Sequence, residues 1–570
     1  MDASISAGIE QAYLERTDLL VVALTGRTGS GCSTTAAILC KRYDEISITP
    51  SDFPELEQRK LSIANRFCSK QWVPFKSVSV STVILGFLLN EPNDEVSKFL
   101  DAQKIKNPQK LIQIFDSLRE DENYAAFKSC IFEDKKDQGK SAWTFYNETL
   151  RIRSMEVRTA LGGSYVSVFQ SLGDNIRFSG CALSRDIDPS NLFSLIRSVK
   201  RLVKAAFAHD REIKSTTSTR IVIDAVRNSL ELVYLRDQFS AFYAIAITTD
   251  DDHRIKRLED QGLTKKEIKS LDEKEYSEDK KPLDSYENFV SQNLQDCIQK
   301  SDVFFANPGI PSEITQNIRN LNAQVLRYVA LMLRPGLITP TRDERCMQLA
   351  FVAKLNSGCI SRQVGAAVAD ENYSIKAVGW NDVPRGQVSC LLRDVDELLT
   401  GGDINAFSTF EKTDKKLNAQ IKKTYQNRSL LEHSGIPCPF CFKSEYNKSI
   451  GKDNQVHTRS LHAEENAFLQ LAKHGNSGID KGYLFTTASP CELCSKKAFQ
   501  LGIQEIVYVD PYPGISSNHV LSSGAAEFRP KLRLFSGAVG HAYHRLYEAI
   551  LPIKDEYMAR LAGGQQQSLL

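Results

Sequence analysis

Apolar and polar positions along the chain fall into two successive patterns. In the first, short apolar runs of strand type alternate with stretches at helical spacing. Leu19 to Leu24 (LLVVAL), the start of Arg220 to Glu231 (RIVIDAVRNSLE), Phe242 to Thr248 (FYAIAIT) and Val303 to Asn307 (VFFAN) are the strands. Strands alternating with helices predict a parallel sheet flanked by helices, an α/β fold. Gln261 to Lys281 is polar, rich in lysine and glutamate, and reads as a solvated helix or a mobile loop. Two prolines and a glycine punctuate Leu333 to Arg342, and a domain boundary is predicted there.

The second pattern begins with apolar positions at helical spacing in Asp343 to Leu355. Val364 to Val368 and Ser374 to Gly379 read as paired strands, and Tyr483 to Thr487 and Glu505 to Val509 as two more. A helix carries His462 and Glu464, and another spans Cys491 to Leu501. This predicts an α/β/α three-layer domain over 336–560, with a polar insertion at 384–460. Residues 1–335 form the first domain, and 561–570 (Gly563 to Leu570 reads GGQQQSLL) a disordered tail.

Composition changes this picture little. At 570 residues the chain exceeds one core, which agrees with two domains. Lys+Arg (72) and Asp+Glu (70) nearly cancel, which argues against nucleic acid as the substrate. No apolar run approaches the roughly 18 residues of a membrane span, and the N-terminal stretch is too acidic for a signal peptide. A cytoplasmic protein is expected, with its 13 cysteines as thiols or metal ligands.

The candidate chemistry is concentrated in His462-Ala463-Glu464 and Pro490-Cys491-Glu492-Leu493-Cys494. His462, Cys491 and Cys494 suit one tetrahedral zinc ion and leave its fourth position open. Glu464 is then the base and acid that moves protons. H-x-E followed by P-C-x-x-C is the signature of zinc-dependent nucleobase deaminases. A second C-x-x-C, Cys438 with Cys441, lies in the insertion. With Cys390 and His457 it is a candidate structural zinc site stapling an insertion that reads as too polar to pack alone. Cys359 and His433 compete as ligands.

In the first domain Gly26, Gly29, Ser30, Gly31, Cys32, Ser33 and Thr34 form a glycine-rich turn between a strand and a helix, as in a phosphate-binding loop. Cys32 stands where such loops carry lysine, which predicts a nucleotide-binding loop without phosphoryl transfer. Ser33 and Asp224 are candidate Mg2+ contacts, and Arg227 a candidate phosphate contact. This region resembles P-loop nucleoside and nucleotide kinases and dephospho-coenzyme A kinase.

The second domain resembles the cytidine deaminase superfamily, most closely deoxycytidylate deaminases, through QVGAAV, Gly379 to Asn381, His462 to Ala467 (HAEENA) and PCELC. Joined to a lysine-less phosphate loop, it resembles bacterial anti-phage dCTP deaminases. The resemblance implies deamination of dCTP or dCMP, depletion of that pool during phage infection, and gating by a nucleotide at the first domain. It also implies homo-oligomers. Asn381 matches an asparagine that bonds the sugar hydroxyl, and Ala463 joins the substrate contacts. Arg362 and Tyr512 are candidate phosphate contacts, though each reads equally as a surface side chain. A deaminase acting on single-stranded nucleic acid and a housekeeping dCMP deaminase are the alternative readings.

Overall fold

The computed structural model describes every residue except 1, 106–107, 134–138, 214–217, 276–286, 308–313, 403–404, 453, 476–477, 511–515 and 568–570. The chain forms two compact units. One takes Met1–Thr339 together with His541–Leu570, the other Pro340–Gly540. The division falls inside the proline- and glycine-marked stretch. Residues 541–560, expected in the second domain, return instead to the first unit.

In the first unit, strands β1 (Leu19–Thr25), β2 (Lys76–Ser79), β3 (Thr219–Asp224), β4 (Phe242–Thr248) and β5 (Val303–Ala306) are hydrogen-bonded in the order β5-β4-β1-β3-β2. Every pairing among them is parallel. β1 is central, pairing Val21 with Ile221 on one side and Phe242 on the other. Strands buried on both faces read as continuous apolar runs, which is why β1 and β4 stand out in the sequence. β2, at an edge and with only four residues, does not.

One expectation for this unit holds in part and one is corrected. The polar stretch contains a helix, Lys265–Glu275, mostly exposed as expected, but its last residue is buried. Glu275 accepts a hydrogen bond from the Thr28 N–H at 3.1 Å and pairs with Arg227. The residues 276–281 of that stretch lie outside the described set. The expected disordered tail is helical as far as Gln567, because it continues the helix Ile553–Gln567. That helix is anchored upstream: buried Glu556 accepts from the Tyr13 hydroxyl at 3.0 Å and pairs with Arg334. Residues 568–570 are outside the described set.

The second unit is built on β6 (Gly365–Ala369), β7 (Ile375–Trp380), β8 (Tyr483–Ala488), β9 (Glu505–Asp510) and β10 (Lys531–Leu534), in the order β10-β9-β8-β6-β7. β8, β9 and β10 run parallel, while β6 is antiparallel to both β7 and β8. Helices cover both faces. On one, Ala366 and Val368 pack with Ala463 and Ala467 of the helix Ala463–His474. On the other, Gly365 lies against the helix Arg342–Ala353, so close that a Cβ would meet the Ala350 carbonyl at 2.0 Å.

The insertion packs itself. Val395, Leu398, Phe407, Leu417, Ile421 and Phe440 form its own core. Arg393 is fully buried, 4.7 Å from the ring centres of both Phe407 and Phe440, and ion-paired with Glu411. A cation stacked on aromatic faces supplies the cohesion that the polar composition hides.

Candidate active site

Two helix starts meet at the carboxyl ends of the parallel strands of the second unit. His462 caps the helix Ala463–His474, and Cys491 caps Glu492–Gln500, which brings Cys494 one turn in. His462 Nδ1 lies 3.3 Å from Cys491 Sγ and 3.5 Å from Cys494 Sγ. A tetrahedral centre with Zn–S near 2.3 Å and Zn–N near 2.0–2.1 Å places sulfur and nitrogen about 3.5 Å apart. The three side chains therefore fit a zinc ion in both donor type and spacing, and their ligand atoms all lie within 4.8 Å of one another.

The electrostatics point the same way. Hydrogen bonding from Cys494 and His462 holds the Cys491 thiol down to about 3, despite its burial. Cys494 is pushed up by its bond to Cys491 and by burial. The bond to Cys491 raises His462. Protons are shared among three groups that a cation would strip of them.

Glu464 is 4% exposed, and burial pushes its carboxyl above the ordinary range. The Thr486 hydroxyl on β8 donates to its Oε1 at 3.0 Å. The helix that carries it is fixed from both sides. Asn466 Nδ2 donates to the Trp380 carbonyl at 3.0 Å, and Glu465 pairs with Lys497 of the neighbouring helix. Gly379 on β7 permits the approach, since a Cβ there would meet the Ala463 carbonyl at 2.3 Å. A carboxyl group poised to take and return a proton thus stands beside three metal-type ligands.

A family model described as the cytidine and deoxycytidylate deaminase zinc-binding region matches residues 340–510. The second unit carries a cytidine/deoxycytidylate deaminase domain. The deoxycytidylate deaminase of Schizosaccharomyces pombe is 30% identical over 183 residues, 32% of this chain and 41% of that protein. The deoxycytidylate deaminase of Enterobacteria phage T4 is 28% identical over 175 residues, 29% of this chain and 76% of its own. A solved dCMP deaminase from the cyanophage S-TIM5 aligns with 35% of this chain and 100% of its own at 24% identity, with a TM-score of 0.20. The chain thus spans under half the length of the S. pombe relative.

Around the deaminase site the other expected residues are placed as follows. Asn381 holds the loop before β6: its Oδ1 accepts from the Val364 N–H at 2.7 Å, and its Nδ2 donates to the Arg362 carbonyl at 2.8 Å. Arg362 pairs with the fully buried Asp510 at the end of β9. Ala463 has its side chain in the core and its carbonyl packed against Gly379. Tyr512 lies outside the described residues. Thr486 and Asp510 escaped sequence reasoning, because a polar residue at a strand end carries no motif.

The expected second zinc site does not assemble. Among the described residues, the group of His462, Cys491 and Cys494 is the one that could hold a metal ion. Cys390 Sγ faces the Arg459 guanidinium at 3.9 Å, and Cys441 Sγ accepts from the Ser361 hydroxyl at 3.4 Å. Cys438 belongs to the insertion core, and His457 meets Tyr446 edge to face. His433 is exposed, and Cys359 donates its N–H to the Ser357 hydroxyl at 3.2 Å. An arginine beside a thiol repels the cation the site would need. No helix among the described residues is long and apolar enough to cross a membrane.

Apart from the deaminase domain, the first unit has a cavity of about 710 Å³ at the carboxyl ends of β1 and β3. Gly26 through Thr34 border it, Ser30 excepted. Gly31 has φ 112° and no room for a Cβ, which would meet Asn307 Nδ2 at 2.4 Å. Asn307 in turn donates to the Ser30 carbonyl at 2.8 Å. The Ser33 hydroxyl donates to Asp224 Oδ2 at 3.0 Å. Burial pushes Cys32, where a lysine was absent, up to about 12, so the position is neutral.

Proposed function

We propose that the deaminase domain removes the exocyclic amine of cytosine deoxynucleotides, dCMP and dCTP, giving the uracil nucleotide and ammonia. The observation that carries this is the cluster of His462, Cys491 and Cys494 with buried Glu464 beside it. The similar proteins are deoxycytidylate deaminases, which supports a cytosine deoxynucleotide over other amines. Zinc at the cluster would polarise a water molecule and make it more acidic.

Glu464 takes the proton that this water loses as its oxygen bonds cytosine C4. It delivers that proton to N3, which becomes the N–H of uracil. It then moves the second proton, from the new C4 hydroxyl, to the amine, which leaves as ammonia. The burial that raises Glu464 matches a group that must hold each proton between transfers. Thr486 keeps the carboxyl turned toward the cluster. Asn381 and Arg362 shape the adjoining loop, where the sugar and phosphate would lie.

The fusion supports a wider role. In a cytoplasmic protein whose loop Gly26 to Thr34 binds a regulatory nucleotide, the first unit gates a deaminase that drains dCTP during phage infection. The experiment that tests the core of this reading is product analysis by chromatography. Purified protein is incubated with dCMP, dCTP, CMP, CTP and a cytosine-containing oligonucleotide, beside Glu464→Gln. Uracil product from dCMP or dCTP, lost by at least about a thousandfold in a variant that keeps its zinc, is the expected result. Conversion of the oligonucleotide alone would overturn it.

A further inference from the structure

The lining of the cavity in the first unit is of two kinds. The loop Gly26 to Thr34 is polar and offers backbone N–H groups and hydroxyls to a phosphate, and Arg227 beside it pairs with Glu275. Ile84, Tyr165 and Phe169 make one wall apolar and aromatic, with Gln170 among them, while Gln261, Gln292 and Asn317 place further amides elsewhere in the lining. Of the amides in the lining, Gln170 has both polar atoms unmet, and Gln292 has its Oε1 unmet. Gln170 lies on the helix Tyr165–Ser179 and is 6% exposed. A buried amide left unmet among apolar groups destabilises the fold, and a ligand that satisfies it removes the cost.

A primary amide presents one acceptor and one donor side by side. Nucleobases present a donor and an acceptor side by side on their pairing edges, and a Gln side chain can engage both at once. Aromatic side chains nearby give a base a face to stack on. The residue after Asp224 adds a second sign of a built site: Ala225 borders the cavity with φ 66°, a left-handed conformation that non-glycine residues rarely keep without reason.

We propose that this cavity holds a nucleoside phosphate, with its phosphates on the glycine loop and its base read by the Gln170 amide. This rests on the nucleotide reading of the loop made above and adds the selectivity of the site. The neutral Cys32 leaves it a binding site, because the loop cation that stabilises a transferring phosphoryl group is missing. Glu275 already accepts the Thr28 N–H, so phosphate is met by the remainder of the loop.

Calorimetric titration of the full chain tests this with the four common deoxynucleoside and ribonucleoside triphosphates and with inorganic triphosphate. At least one nucleotide is expected to bind about tenfold or more tightly than inorganic triphosphate, since a base read by a paired amide adds that much. In Gln170→Met that advantage disappears while inorganic triphosphate binds as before. Gln170→Glu, which keeps the shape and loses the donor, is expected to lose it too, and serves if the methionine variant fails to fold. Unchanged nucleotide binding in a folded Gln170 variant would overturn the base reading alone. Absence of binding by every nucleotide and by inorganic triphosphate would overturn the loop reading itself. Because Gln170 lies in the first unit, its variants separate this site from nucleotide bound at the deaminase domain.

Discussion

At the scale of single residues, the deaminase site divides into groups that a motif exposes and groups that it hides. His462, Glu464, Cys491 and Cys494 are legible because their chemistry needs those residue types at those spacings. Thr486 is hidden, since a threonine in a buried strand is ordinary. Its hydroxyl nevertheless donates to Glu464 Oε1 at 3.0 Å. It acts through Glu464 and is a positioning residue. A hydrogen bond to a charged or charging group contributes about 1.5–3 kcal/mol, and about 1.4 kcal/mol is tenfold in rate. Thr486→Val is therefore expected to lower kcat about tenfold or more, with KM and zinc content unchanged. Thr486→Ser should restore most of the rate. A fall confined to KM, or one that serine does not repair, would show that the threonine acts by shape alone.

Elements were read well where periodicity carried them and poorly where contacts did. The strands β1, β4, β6, β8 and β9 are apolar enough to be seen in sequence, whereas β2 and β10 are short edge strands without that signal. Gly379 marks a contact between elements that no propensity scale records. A Cβ there would meet the Ala463 carbonyl at 2.3 Å and the Ala467 nitrogen at 2.5 Å. Gly379→Ala must push the helix that begins at Ala463 off the sheet, at about 1–3 kcal/mol. Because His462 caps that helix, zinc per chain and turnover should fall together; retention of both would show that the helix can shift without cost. The insertion was misjudged for the opposite reason. Its composition is polar, yet Arg393 and Glu411 are both buried and paired within its aromatic core. Removing one partner of a buried pair costs about 3–5 kcal/mol, so Glu411→Ala should melt the insertion at a markedly lower temperature. Elemental analysis should find one zinc per chain, and chelation should leave the insertion resistant to proteolysis. Two zinc ions per chain would restore the idea of a metal staple.

At the scale of the whole molecule, proline and glycine content marked the division near Thr339, but the return of residues 541–570 to the first unit could not be seen. Which core a helix joins depends on contacts hundreds of residues apart. Here the decisive one is Glu556, buried beside residues from both ends of its unit. It accepts from the Tyr13 hydroxyl at 3.0 Å and from Arg560 Nε at 3.0 Å, and it pairs with Arg334. Burial alone would raise its carboxyl, but these hydrogen bonds outweigh burial and hold it below its ordinary value. A carboxyl lower in the folded than in the unfolded chain stabilises the fold most at pH above the ordinary carboxylate value, about 4.3. That contribution declines as pH falls through the folded-state value. Melting of the first unit, followed from pH 8 down to pH 3, should therefore show a steeper acid loss in the parent chain than in Glu556→Gln. The two melting temperatures should differ most near neutrality and converge in acid. A constant gap across that range would mean that Glu556 anchors the returning helix by shape and not by charge. Deletion of the chain beyond Gly540 should lower the same transition at neutral pH by more than the single substitution does, because it also uncovers the surface that the helix Ile553–Gln567 occupies on the helix Asp2–Asp18.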